Sequence, residues 1–320
     1  MTLRPKPNNQ GFVKVDKHHK MFYQTFGNTG GKTFLFLHGG PGYHSTPGVL
    51  DNFDLSQDHV ILFDQRGSGK SKTSGLITNQ NTTTDLCEDI NKLLDHLKIQ
   101  TKVTLFGGSW GATLARVYAI RNPGRVSTLL LRGVFLGRKE DVDAIYYPKR
   151  SWTENQRIKY EMTLGHLVKV FHLKDVVKDA FKIISQGGAQ AQYFCKYWAM
   201  YEDMICSNKF ELHFPDKEYL KVAATISTIE TYYFTHNCFL PKNYILNNVH
   251  RLKDIKAYIV QGTQDMVCPP YQARILHKAI KGSELLLDKT GGHSAATGQM
   301  KSKIKRVIGK IRKEKISVSK

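Results

Sequence analysis

A chain of 320 residues, 41% hydrophobic and 11% aromatic, can bury a sizeable core, which excludes a disordered chain and fits one large α/β domain with an insertion or two smaller domains. The formal charge of +20 raises the question of a polyanion partner, but the basic residues are mostly Lys and spread along the chain, so nucleic-acid binding is not expected. No stretch approaches the roughly 20 apolar residues of a membrane span, and MTLRPKPNNQGFVKVDKHHK has no apolar run behind its charges, so neither a membrane contact nor a secretory signal is predicted.

Short apolar runs alternate with helical patterns, predicting βα units and a mostly parallel sheet with helices on both faces. Residues 33–37 (TFLFL) read as a buried strand ending in HGGPG, and 60–63 (VILF) as another ending in DQRGSGKS. Residues 85–97 form an amphipathic helix with Leu86, Ile90, Leu93, Leu94 and Leu97 on one side. A strand at 103–106 runs straight into GGSWG, a helix follows over 110–120, and Asn122-Pro123-Gly124 closes it. The next strand is 126–131.

From about Leu136 to Val249 strand signals vanish, and helical segments rich in Tyr, Phe and Trp take over. The βα pattern returns at 257–261 (AYIVQ) and 284–287. The prediction is a core built from residues 1–135 and 250–320, with a helical cap over 136–249. The terminal KSKIKRVIGKIRKEK places Ile304, Val307, Ile308 and Ile311 at helical spacing, so its cations fall on a solvated face. Five cysteines, with no CxxC spacing, point to reduced thiols in a cytoplasmic protein rather than to a disulfide framework or a zinc site. No metal and no cofactor is predicted.

Gly107-Gly108-Ser109-Trp110-Gly111 matches G-x-S-x-G with a strand before it and a helix behind it, the context of a nucleophile elbow. The turn is so tight that glycines are needed on either side, and it puts Ser109 at a helix N-terminus, where partial positive charge favours an oxyanion. A serine hydroxyl needs a base, and the base an orienting carboxylate. In this arrangement the chain order is Ser, acid, His. Asp265 follows the strand AYIVQ, and His293 follows one further helix and strand in the Gly-rich GGHSA. The backbone N–H groups of Gly40, in HGGPG, and Trp110 are the candidate oxyanion hole. His38 precedes the nucleophile and is read as a brace for its loop. GSGKS at 67–71 resembles the end of a phosphate loop but has Asp64 where that pattern requires Gly, so nucleotide binding is not expected.

HGGPG, DQRGSGKS, GGSWGATLA, GTQDMVCPP and GGHSA, in this order, resemble the proline iminopeptidases, α/β-hydrolase serine peptidases, from about Gly11 to the C-terminal helix. The resemblance implies Ser109, Asp265 and His293 as triad, and release of N-terminal proline from peptides through an acyl-enzyme. YWAMYE at 197–202 looks like the family's W-x-x-W-E segment, with Tyr201 in place of the second Trp, and IETYYF at 229–234 like its I-E-x-x-Y-F segment. By that likeness Glu202 and Glu230 would hold the substrate ammonium, and two carboxylates in a partly dry pocket suit that task. Phe135 and Phe234 would pack on the pyrrolidine ring, with Tyr146 and Tyr147 as additions. The stretch from Ile145 to Gln190 matches the family pattern poorly. Two alternatives stand beside this reading. An esterase or amidase of the same fold would not need the two glutamates, and an epoxide hydrolase would have Asp at position 109. A polyanion-binding protein with an idle hydrolase fold would not need five intact motifs.

Overall fold

The computed structural model describes residues 4–150, 152–207, 216–295 and 298–314. The chain opens with β1 (Asn9–Lys14), β2 (His19–Gly27), β3 (Lys32–Leu37), β4 (Asp58–Phe63) and the two-residue β5 (Lys72–Thr73). Helix α1 (Thr83–His96), β6 (Val103–Ser109), α2 (Trp110–Arg121) and β7 (Val126–Val134) follow. Then come α3 (Lys139–Tyr146), α4 (Glu154–Met162), α5 (Leu164–Phe171), α6 (Val176–Gln186), α7 (Gly188–Ser207), α8 (Lys217–Thr235) and α9 (Tyr244–Asn247). The chain ends in β8 (Lys256–Gly262), α10 (Pro270–Ala279), β9 (Glu284–Asp288) and α11 (Met300–Lys313). Among the described residues, no helix is long and apolar enough to cross a membrane.

The sheet order is β1-β2-β4-β3-β6-β7-β8-β9, with β5 on the edge of β2. From β4 to β9 every pairing is parallel, whereas β1, β2 and β5 pair antiparallel. The central strands read as continuous apolar runs because both faces are covered. Leu35, Leu105, Leu129 and Ile259 face α1, α2 and α10, while Phe34, Phe106, Leu130 and Tyr258 face α11. On α11 the buried Ile304, Val307, Ile308 and Ile311 make that contact. Its cationic side is partly neutralised by Lys301–Asp51, Lys310–Glu284 and Arg312–Asp58 ion pairs at 2.5–2.7 Å.

Local chemistry fixes the helix starts. Thr82 Oγ1 accepts from Asp85 N at 3.3 Å, and the Asp85 carboxylate accepts from Thr82 N at 2.9 Å, a reciprocal cap on α1. Asp216 accepts from Tyr219 N at 2.7 Å and starts α8.

Candidate active site

Ser109 ends β6 and caps α2 with φ 56° and ψ −124°, a conformation that a non-glycine residue adopts only when its surroundings impose it. A Cβ on Gly107 would strike the carbonyl oxygen of Gly111, and one on Gly111 would strike that of Leu37. The two glycines are therefore required by the close approach of strand, turn and helix. A Cβ placed on Gly39 would lie 3.4 Å from Ser109 Cβ, so the HGGPG loop runs directly beside the serine.

That loop is held by buried side chains. His38 Nδ1 donates to Gly39 O at 2.9 Å, because its Nε2 accepts the Gln65 N–H at 2.9 Å. Gln65 Nε2 donates to His38 O at 2.9 Å, and Gln65 Oε1 accepts from the Trp110 indole N–H at 3.0 Å. Burial pushes the His38 imidazole down to about 4, so it stays neutral and serves as a brace. Gly40 and Trp110, the candidate oxyanion donors, are thus tied to one another through Gln65 and His38. The GSGKS run wraps around a carboxylate of the protein itself: Asp64 accepts from Lys70 N and Ser45 N, each at 2.8 Å.

His293 and Asp265 are brought together on the loops after β9 and β8. Nδ1 of His293 lies 3.0 and 2.9 Å from the two Asp265 oxygens, and both residues are buried. The carboxylate is oriented in turn by the N–H groups of Val267 (3.0 Å) and Cys268 (2.7 Å) and by Gln261 Nε2 (3.2 Å). Gly133, at φ 55°, leaves room for the imidazole: a Cβ there would sit 3.2 Å from His293 Cε1. Arg132 donates to the carbonyl of His293. Among the described residues, no hydrogen bond joins Ser109 Oγ to His293. Ser109 Oγ instead lies 4.0 Å from the Sγ of buried Cys268. Burial, and then the neighbouring Asp265 charge, raise that thiol well above its ordinary value.

Glu202 on α7 and Glu230 on α8 meet in an aromatic box. Trp198 Nε1 donates to Glu230 Oε2 at 3.0 Å, and Tyr146 OH donates to Glu202 Oε1. Tyr146 stacks on Trp198 at 4.5 Å and leans on Phe234 at 5.7 Å, and Phe234 meets Phe135 edge-on at 5.8 Å. Tyr147 is directed elsewhere, its hydroxyl donating to Asp175 at 2.5 Å. Burial, and next the charge of Glu202, raise the Glu230 carboxyl well above the usual range. Glu202 is also raised, by burial first, while the Tyr146 hydroxyl works the other way. Burial and the neighbouring carboxyl thus both disfavour ionising the two groups together. Tyr201, in place of the second Trp, donates its hydroxyl to Ile145 O at 2.5 Å.

Sequence reasoning missed Gln261 and Gln65. Gln261 accepts from Val134 N at 3.0 Å while donating to Asp265, so it links the end of β7 to the candidate acid. Its signal was a polar residue closing the apolar run AYIVQ. Among the described residues, no group of three or more His, Cys, Asp or Glu is placed to hold a metal ion.

Residues 32–296 match the model of the α/β hydrolase fold family. The chain is 36% identical over 301 residues to the proline iminopeptidase of Arabidopsis thaliana, covering 91% of this chain and 76% of that protein. It is 33% identical over 307 residues to the proline iminopeptidase of Xylella fastidiosa, covering 92% and 94%. A solved structure of proline iminopeptidase from Mycobacterium smegmatis superposes with a TM-score of 0.62 at 14% identity, over 95% of this chain and 97% of that one, which shows the fold. The chain belongs to the proline iminopeptidase family of the α/β hydrolases.

Proposed function

We propose that this protein is a serine aminopeptidase that releases N-terminal proline from peptides through an acyl-enzyme. The observation that carries the reading is the pairing of two sites: a strained serine beside an Asp265–His293 couple, and a dry glutamate pair inside an aromatic box. The first supplies acyl transfer in general. The second supplies what an exopeptidase needs in particular, a place for a free ammonium.

In this reading Ser109 attacks the proline carbonyl. His293, with its Nδ1–H turned to Asp265, takes the serine proton and returns it to the leaving amine. Gly40 and Trp110 donate their N–H groups to the oxyanion, aided by the N-terminus of α2. Water then enters and hydrolyses the ester on Ser109. Glu202 and Glu230 hold the prolyl nitrogen, and Phe135 and Phe234 flank the ring. Helices α3–α9, within residues 136–249, act as a cap over a core formed by 1–135 and 250–320.

The test is a panel of aminoacyl-arylamides set against a simple aryl ester. Proline arylamide should lead the panel clearly. An enzyme that turns over the ester well and discriminates little among the arylamides would be a general esterase or amidase instead.

A further inference from the structure

The outer face of the first strands carries a row of cations set by strand register. Pairing of β1 with β2 places Lys14 opposite Lys20, and pairing of β2 with β5 places Lys72 opposite Lys20 on its other side. Residues directly opposite in antiparallel strands share a face, so three exposed lysines stand side by side. Like charges in that arrangement repel, and among the described residues none of the three is ion-paired. The carboxylates close by are occupied: Asp16 by Arg66 and His19, each at 2.9 Å, and Asp64 by backbone N–H groups.

Next along the same face, Phe12 and Phe22 pair in register with rings 5.4 Å apart. Lys72 Nζ lies 4.6 Å from the Phe12 ring, and Lys70 Nζ 5.1 Å from the Phe22 ring. Phe12 is 40% exposed. These aromatics and lysines form one wall of a groove of about 670 Å³, whose other wall is α8 with Lys221 and Thr225. The groove reaches Gly42, two residues beyond Gly40. Lys72 also lines a smaller depression with Lys14, Lys17 and Lys20, so the two hollows share this side chain as a border.

We infer that this groove receives the part of the peptide that follows the scissile proline, and that its lysines favour peptides with acidic side chains or a free carboxylate downstream. The inference rests on the aminopeptidase reading, and it names a substrate class within it. An aminopeptidase substrate has chain on the leaving side only, since its other end is the amine held by the cap. That chain must pass a loop flanking Ser109, and one such loop, HGGPG, also lines the groove at Gly42. Carboxylates meeting ammonium groups there gain charge-assisted hydrogen bonds, and exposed rings cover apolar side chains between them. A basic and aromatic strand face also suits a single-stranded nucleic acid. However, Glu218 lines the same groove beside the lysines and opposes a continuous polyanion, whereas a peptide can keep its few carboxylates clear of it.

The experiment uses the full chain and three substrates: Pro-Gly-Glu-Glu, the amide of Pro-Gly-Gln-Gln, and proline arylamide, which has no downstream residues. At low salt kcat/KM for the acidic peptide should exceed that for the neutral one by about tenfold, and the gap should close at high ionic strength. Lys72→Glu and Lys20→Glu should each erase most of the preference and leave proline arylamide within about twofold of wild type. Lys72→Gln, which carries no reversed charge, should reduce it partway. Equal turnover of the two peptides by a wild type that cleaves proline arylamide would overturn the groove assignment and spare the aminopeptidase reading. Failure to cleave proline arylamide would overturn both. Salt-sensitive binding of a single-stranded oligonucleotide that is lost in Lys72→Glu, with peptide turnover unchanged, would assign the face to nucleic acid and overturn the proposal.

Discussion

Trp198 on α7 donates its indole N–H to Glu230 on α8 at 3.0 Å, fixing a carboxyl group that is almost wholly buried. This bond orients Glu230 without neutralising it. Glu230→Gln keeps an acceptor for Trp198 and removes one charge. Losing a charge-assisted contact typically lowers binding by about 2–3 kcal/mol, so kcat/KM for proline arylamide should fall roughly 30- to 150-fold. p-Nitrophenyl acetate, which has no amine, should be nearly unaffected. Equal losses on both substrates would show that the glutamates are not an amine site. Glu202→Gln should behave alike, and the double variant should be less than additive because both carboxylates face one cation.

The same glutamate pair sets a pH dependence. In the proposed reading the ionised form binds the ammonium, and both carboxyl groups are raised, by burial first. Protonation therefore begins at a higher pH than for an ordinary carboxylate. KM for proline arylamide should climb as pH falls toward 5, while KM for the acetate ester stays flat. Parallel curves for the two substrates would contradict the assignment.

Stability should run the other way. Because the folded-state value of Glu230 lies above its unfolded value, the folded protein holds this proton more tightly. Its contribution is fully present below the unfolded value and is lost as pH rises through the folded one. Glu230→Gln, which cannot ionise, should melt at a higher temperature than wild type at pH 8, with the gap narrowing toward pH 5. Thermal melts of the two proteins across that range decide it. A variant less stable at pH 8 would contradict the raised value.

Much of the site was legible because its chemistry forces local patterns. The clash of a Cβ at Gly107 or Gly111 with neighbouring carbonyls leaves only glycine there, which makes the elbow readable. Apolar runs such as VILF and AYIVQ are readable because both faces of the sheet are covered. The first two strands were not seen. Met21, Tyr23 and Thr25 do alternate inward on β2, but Phe22 on the outward face breaks the apolar–polar rhythm, as Phe12 does on β1. Links such as Gln65 to Trp110, or Gln261 to Val134, join residues distant in sequence and leave no local pattern.

Cys268 gives an independent probe of the nucleophile's surroundings. Its Sγ is 4.0 Å from Ser109 Oγ, and its N–H supports Asp265. A mercurial should abolish activity, and Cys268→Ser should make the enzyme resistant. Since burial raises this thiol, the rate of inactivation should increase steeply with pH. Inhibition that persists in Cys268→Ser would move the effect to another cysteine.

Ser109→Ala should lower kcat by at least about a thousandfold while the protein stays folded, because the remaining groups stabilise but cannot attack. Activity of wild type should be unchanged in EDTA. Near-normal turnover by the variant would remove Ser109 from the mechanism.

The central claim joins the hydrolytic serine to an ammonium site, and one comparison addresses both at once: initial rates of wild type on proline arylamide and on its N-acetyl derivative. Acetylation leaves the scissile bond in place and removes the cation that Glu202 and Glu230 would hold. The account predicts rapid release of the arylamine from the free substrate and essentially none from the acetylated one. Comparable rates on the two would contradict it.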